Sequence, residues 1–242
     1  MKKLLFTFLL SSISLFAQEK LVVEYQFNYD FDTSKITDKK TLDFYKATNE
    51  NISFFELITK KNESYFGRIE KIDNNQKTSS NIGLIGGPAG NIYTNIEDKY
   101  SLFSIDFNGK NLIVKDTIKS LDWVLSKDKA KILGYEVRKA MYQKDKFIVE
   151  AWYAPELVFK NGPSKYYGLP GIILKIVETI KSDKGDQKQI YTAISVRLDD
   201  KAKIEKPTKG QLITQKEFEQ IIDEMNNKFK KMQSEKIDKK ID

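Results

Sequence analysis

The stretch LVVEYQFNYDF, Leu21 to Phe31, alternates strictly: Val23, Tyr25, Phe27, Tyr29 and Phe31 fall on one side, Glu24, Gln26, Asn28 and Asp30 on the other. A period of two sends successive side chains to opposite faces of an extended chain, so this segment predicts a long antiparallel strand with one buried face. Similar patterns recur at Thr41 to Ala47, Ile52 to Thr59, Ser64 to Ile72, Leu102 to Phe107 and Asn111 to Thr117, the last two joined by the turn Asn108-Gly109. GYEVRKAMYQ and KFIVEAWYAPEL flank Lys144-Asp145 and predict a hairpin, with Tyr135, Val137 and Met141 on one face. Its returning strand, Phe147 to Val158, sets Phe147, Val149, Ala151 and Tyr153 against Ile148, Glu150, Trp152 and Ala154. GIILKIVETI and QIYTAISVRL around KSDKGDQK predict another hairpin. The expected fold is all-β with a C-terminal helix: roughly eight to eleven antiparallel strands in a curved sheet or a partly open barrel.

The helix is signalled by Thr214-Gln215-Lys216-Glu217, a capping box in which the threonine hydroxyl and the glutamate side chain each satisfy a free backbone amide. Phe218, Ile221, Ile222, Met225 and Phe229 follow at helical spacing, a stripe expected to pack on a sheet face or, alternatively, to meet a partner protein. Lys228, Lys230, Lys231, Lys236, Lys239 and Lys240 then form a basic tail, read as solvated or as a contact for anionic envelope material.

At the other end, Lys2 and Lys3 precede an apolar run from Leu4 to Phe16, and Ala17 closes it. This run is shorter than the roughly 20 residues that span a bilayer and reads as a secretory signal peptide over residues 1–17. The mature chain is then expected to begin near Gln18, without a transmembrane segment, as a single β-rich domain over residues 18–242 in the periplasm or secreted.

The chain contains no cysteine and no histidine. Thiol chemistry, imidazole bases, serine–histidine triads and cysteine- or histidine-ligated metals are therefore closed to it, leaving carboxylate, tyrosine or serine–lysine chemistry. The formal charge is +7, and without Lys2 and Lys3 the balance is 39 basic against 34 acidic residues, +5, a mild excess that does not point to nucleic acid in an exported protein.

Between the strands of the first hairpin and GIILKI lies a segment rich in turn residues. Gly162 and Pro163 mark one turn, and Gly168, Pro170 and Gly171 a second, in which Pro-Gly suits the central positions of a type II turn. The intervening Tyr166, Tyr167 and Leu169, with Trp152, either plug the end of the sheet or line a pocket for an apolar ligand.

Gly168-Leu169-Pro170-Gly171-Ile172-Ile173, preceded by Gly162-Pro163, by Ala151-Trp152-Tyr153 and Pro155, and by Trp123 and GYEVRKA, resembles the signature of the GLPGLI family of exported Bacteroidetes proteins. The resemblance spans Trp123 to Ile176 and departs from the family at Ile172, where its name has leucine, and at Val137, where many members carry a cysteine. It implies an exported β-rich protein and supplies no catalytic residue, cofactor or metal ligand.

Three smaller motifs have plainer readings. GLIGGPAG, Gly83 to Gly90, lacks the Gly-Lys-Ser/Thr ending of a phosphate loop and reads as a surface loop. Ser126 to Lys129 fits S-x-x-K without its companion elements. Asp183, Asp186, Asp199 and Asp200 lack calcium-loop spacing and read as turns. The functional expectation is an exported envelope protein that binds or chaperones an apolar ligand or peptide without catalysis; the alternatives are a structural or assembly protein without a pocket, and a carboxylate-based hydrolase.

Overall fold

The computed structural model describes residues 19–70, 90–119 and 121–238, with side chains described as far as residue 228. The expected signal peptide, all but the last residue of GLIGGPAG, the Phe229 side chain and the end of the basic tail lie outside the described residues. In chain order the elements are β1 (Leu21–Phe31), α1 (Lys39–Asn49), β2 (Ile52–Lys60), β3 (Glu63–Ile69), β4 (Asn91–Asn95), β5 (Tyr100–Phe107), β6 (Lys110–Thr117), β7 (Val124–Ile132), β8 (Tyr135–Lys144), β9 (Phe147–Ala154), β10 (Ile172–Ile180), β11 (Gln187–Leu198), β12 (Gln211–Thr214) and α2 (Gln215–Asp238).

All these strands join one 12-stranded sheet in the order β12-β6-β5-β4-β3-β2-β1-β11-β10-β9-β8-β7. It is curved and does not close into a barrel, and it is antiparallel except where β12 pairs parallel to β6. Two meanders, β1–β6 and β7–β11, meet at one seam, where β1 and β11 pair from Leu21↔Leu198 to Phe31↔Gln187. Val23, Tyr25 and Phe27 are buried in the main core, as the alternation requires. Around them Phe55 and Phe66 stack at 5.2 Å, with Tyr191 meeting both rings edge-on at about 6 Å. On the opposite face Arg197 bridges Glu24 (3.1 Å) and Glu56 (3.2 Å).

Several elements depart from the sequence reading. Thr41 to Ala47 is not a strand but the middle of α1. Asp38 caps this helix, its carboxylate accepting the Thr41 N–H at 2.8 Å and the Thr41 hydroxyl at 2.7 Å. Tyr45 then lies a turn below Leu42 and stacks on Phe31 at 4.7 Å, so the three-residue spacing prevails over an apparent alternation. In β8 the core position falls to Ala140, fully buried beside Ala151, while Met141 pairs with Glu150 on the other face. β9 stops at Ala154, before Pro155, which has no N–H to give a ladder, and Val158 is exposed. The capping box forms as expected: Thr214 Oγ1 accepts the Glu217 N–H (3.2 Å), and the Glu217 carboxylate accepts the Thr214 N–H (2.7 Å). Phe218 and Ile221 pack on Leu112, Val114 and Ile213, but Met225 is 41% exposed: the helix touches the sheet through its first two turns and then leaves it. Among the described residues, no helix is long and apolar enough to cross a membrane.

Candidate functional site

The connection from β9 to β10, Pro155 to Gly171, folds back against the sheet and packs into its main core. Three devices hold it there. Asn161, 1% exposed, donates from Nδ2 to Ser64 Oγ (2.9 Å) and accepts from Thr59 Oγ1 (2.9 Å), tying the connection to β2 and β3. The Tyr25 hydroxyl donates to the Ile173 carbonyl at 2.6 Å, fixing the start of β10 into which the connection runs. Trp123 Nε1 donates to the Tyr167 carbonyl at 3.0 Å. A register shift between Ile173 and Lys175 turns Ile172, Ile173 and Leu174 all inward at 0% exposure, which accounts for the unbroken apolar run.

The two glycine turns serve close packing. Gly162 lies against Ile173, so that a methyl group there would sit 2.7 Å from its Cδ1. Gly171 has φ +151° and lies under the Ala154 carbonyl, whose oxygen a methyl group would approach to 2.2 Å. Pro170 centres a three-residue turn in which the Gly171 N–H donates to the Leu169 carbonyl, while Ile172 N–H donates to Leu157; the turn is of γ type rather than type II. Pro163 is buried, and Gly168 and Pro170 face solvent.

Of the residues expected to bind a ligand, Tyr166 and Leu169 are buried in the main core and Tyr167 is half-buried, its hydroxyl donating to the Lys119 carbonyl. Trp152 lies on the opposite face of β9 from Ala151 and Tyr153. There its indole N–H donates to Glu150 (2.8 Å), and Lys139 sits 5.7 Å above the ring and 2.6 Å from Glu150. Burial opposes the Glu150 charge, but Lys139 and the indole N–H prevail and hold its carboxyl below the usual range. The structure thus brings Tyr166 and Leu169 together in the main core, while Trp152 packs half-buried at its margin with its indole N–H turned to Glu150.

Sequence reasoning passed over Glu178. It stands at an inward position of β10, paired with Val149, and its side chain is 11% exposed. The Tyr166 hydroxyl donates to its carboxylate, and Lys165 lies 3.6 Å away. Burial first, then the Glu178 charge, pushes the Tyr166 phenol far above its ordinary range; burial also raises Tyr191 and Tyr29, with Glu178 adding to both. The signal was a carboxylate in phase with Ile176 on the apolar face of KIVETI. Glu178 is the acceptor that a buried tyrosine hydroxyl requires, and among the described residues no buried side-chain polar atom lacks a partner.

Open space lies elsewhere. A cleft of about 340 Å³ separates α1 from the β10–β11 turn, lined by Phe31, Asp32, Lys35, Tyr45, Lys184 and Asp186 among others. Its acids are engaged in turns, caps and pairs: Asp32 with the Ser34 N–H, Asp38 with Thr41, Asp186 with Lys181. Ser126 Oγ accepts the Asp128 N–H and Lys129 pairs with Glu136 (3.1 Å), so these two form no serine–lysine couple. Asp199 accepts the Lys201 and Ala202 N–H groups, closing a turn.

Residues 141–175, from the end of β8 through the connection into β10, match the model of a family described as "Protein of unknown function (Porph_ging)". No curated protein matches the chain. Among solved structures the chain is similar to PNGF-II in its P21 and C2 crystal forms, each at 18% identity and a TM-score of 0.55 over 84% of this chain. It spans about a third of the length of the PNGF-II chain (33% and 32%), and the likeness is one of fold.

Proposed function

We propose that this is a non-catalytic protein of the GLPGLI kind, exported to the cell envelope, that works through its surface rather than by enclosing an apolar ligand. One observation carries the reading: the β9–β10 connection is packed into the main core of the sheet, with Tyr166 and Leu169 at 2% and 1% exposure. Its polar groups are spent on Thr59, Ser64 and Glu178, and among the described residues no buried side-chain donor is left without a partner. Of the functions expected from the sequence, a structural or assembly role therefore fits better than a carrier of lipid or peptide.

Native mass spectrometry of protein isolated from its own envelope, paired with the stability of Leu169→Ser, tests this. The expected mass is that of the bare chain starting near Gln18. Leu169→Ser is expected to lose about 2–4 kcal/mol of stability through lost burial and a buried hydroxyl. A stoichiometric apolar adduct, or a Leu169→Ser protein of wild-type stability that no longer carries such an adduct, would restore the pocket. A retained Met1 would overturn export.

A further inference from the structure

We propose that the free edge of β7 is a docking site for an extended acidic segment of a partner protein, which adds to the sheet as a further strand. This rests on the reading that the protein acts through its surface. β7 ends the sheet, so among the described residues no strand lies on one side of its backbone, which runs from Val124 to Ile132 with a bulge between Leu125 and Lys129. The opposite edge is treated differently: β12 has four residues and runs directly into α2. An open edge is a template for strand addition, and here the regular stretch offered is Lys129 to Ile132, with the bulge before it.

The side chains on this edge define the occupant. Val124 and Leu125 are 69% and 56% exposed, and Leu133 at the β7–β8 tip is 46% exposed with φ +52°. Hairpin tips of this geometry favour asparagine before glycine, so a bulky apolar residue is held there in a conformation it resists. Lysines on an edge strand ordinarily guard it against pairing. A guard leaves unexplained why the same hairpin presents three large apolar side chains to solvent.

Charge decides between partners. Lys127, Lys131, Arg138 and Lys144 have no acidic partner among the described residues, whereas Lys129 pairs with Glu136 and Asp128 is the single acid of β7. A second copy laid against this edge would set lysines against lysines and be repelled. An acidic strand would instead meet Lys129 and Lys131 on the outer face, and its alternate residues would meet Ala130 and Ile132 on the core face. The matching segment therefore alternates acidic and apolar residues.

The test uses the full chain and three fluorescein-labelled synthetic peptides: nine residues alternating glutamate and valine, the same peptide with a central proline, and its lysine–valine counterpart. Anisotropy titrations are expected to show saturable binding of the first, at least tenfold weaker binding of the proline peptide, and none of the lysine peptide. Lys127→Glu/Lys131→Glu is expected to weaken the acidic peptide at least tenfold and to admit the lysine peptide. Equal binding of the proline peptide would reduce the site to unspecific charge attraction and overturn strand addition. No saturable binding, indifference to the charge reversal, or sedimentation showing self-association through this edge would overturn the acidic partner. None of these outcomes bears on the adduct-free mass expected above, so the two readings fail separately.

Discussion

Replacing Asn161 by alanine probes whether the β9–β10 connection is pinned to the far meander. The side chain bridges Thr59 and Ser64, 102 and 97 positions away in the chain, from a site 1% exposed. Asn161→Ala removes two hydrogen bonds, each worth about 1 kcal/mol net. Thr59 keeps the Glu63 carbonyl at 3.1 Å, but Ser64 is left without its amide in a dry setting, adding about 1–3 kcal/mol. The expected loss is about 3–5 kcal/mol, or a fall in Tm of about 6–20 °C for a chain of this size. Urea melts followed by circular dichroism measure it, with unchanged m as the check that the denatured state is comparable. Because the serine loses its purpose once the amide is gone, Asn161→Ala/Ser64→Ala is expected to cost about 1 kcal/mol less than the sum of the single changes. A loss below about 1 kcal/mol, or strict additivity, would refute the pin.

Three further outcomes are expected. Gly171→Ala drives a methyl group into the Ala154 carbonyl and is expected to cost more than about 3 kcal/mol, whereas Gly168→Ala, with φ +92° and open space around it, costs about 1–2 kcal/mol; the reverse order in thermal melts would refute the close approach. Tyr25, Tyr166 and Tyr191 have phenols raised above the unfolded value of about 10, so they stay protonated in the folded state. Their stabilisation is complete below pH 10 and is lost above it by about 1.4 kcal/mol per pH unit for each, and a stability profile flat from pH 10 to 12 would contradict this. Phe218, edge-on to Phe103 and Phe107 at 6.2 and 6.1 Å, is expected to lose about 2–3 kcal/mol on change to alanine, and Met225→Asp close to nothing; equal losses would mean that the helix lies on the sheet along its length.

The parts of the fold that the sequence discloses are those where one local rule acts alone. β1 alternates because one face is core and the other carries the Arg197 bridges, Asn108-Gly109 supplies the left-handed pair of its hairpin, and Thr214 to Glu217 closes its own capping box. α1 was hidden because Leu42 and Phe44 on either side of Asp43 mimic a period of two, and the Asp38 cap is what reveals the helix. β7 was hidden because a mostly exposed edge strand, its period broken by the bulge between Leu125 and Lys129, has no apolar alternation to display. At the candidate site the turn residues could be read, and so could the side of the strand that carries Trp152, but not the destination of the turn: that Tyr166 reaches Glu178 follows from sheet register, which one strand's sequence does not contain.

The seam between β1 and β11 sets an order of events during synthesis. Phe31 and Gln187, paired in the finished sheet, are 156 positions apart, so at roughly 5–20 residues per second β1 waits on the order of ten seconds for its second neighbour. In that interval β1–β6 can assemble as a meander with Tyr25 and Phe27 on an uncovered face and a bare edge of eleven residues. Closing so long a loop is slow, and the intermediate exposes the kind of apolar, unpaired border that aggregates. A nascent chain of this design gains from being kept unpaired until β11 has emerged, and truncations ending before Gln187 are bound to precipitate rather than fold as a smaller sheet.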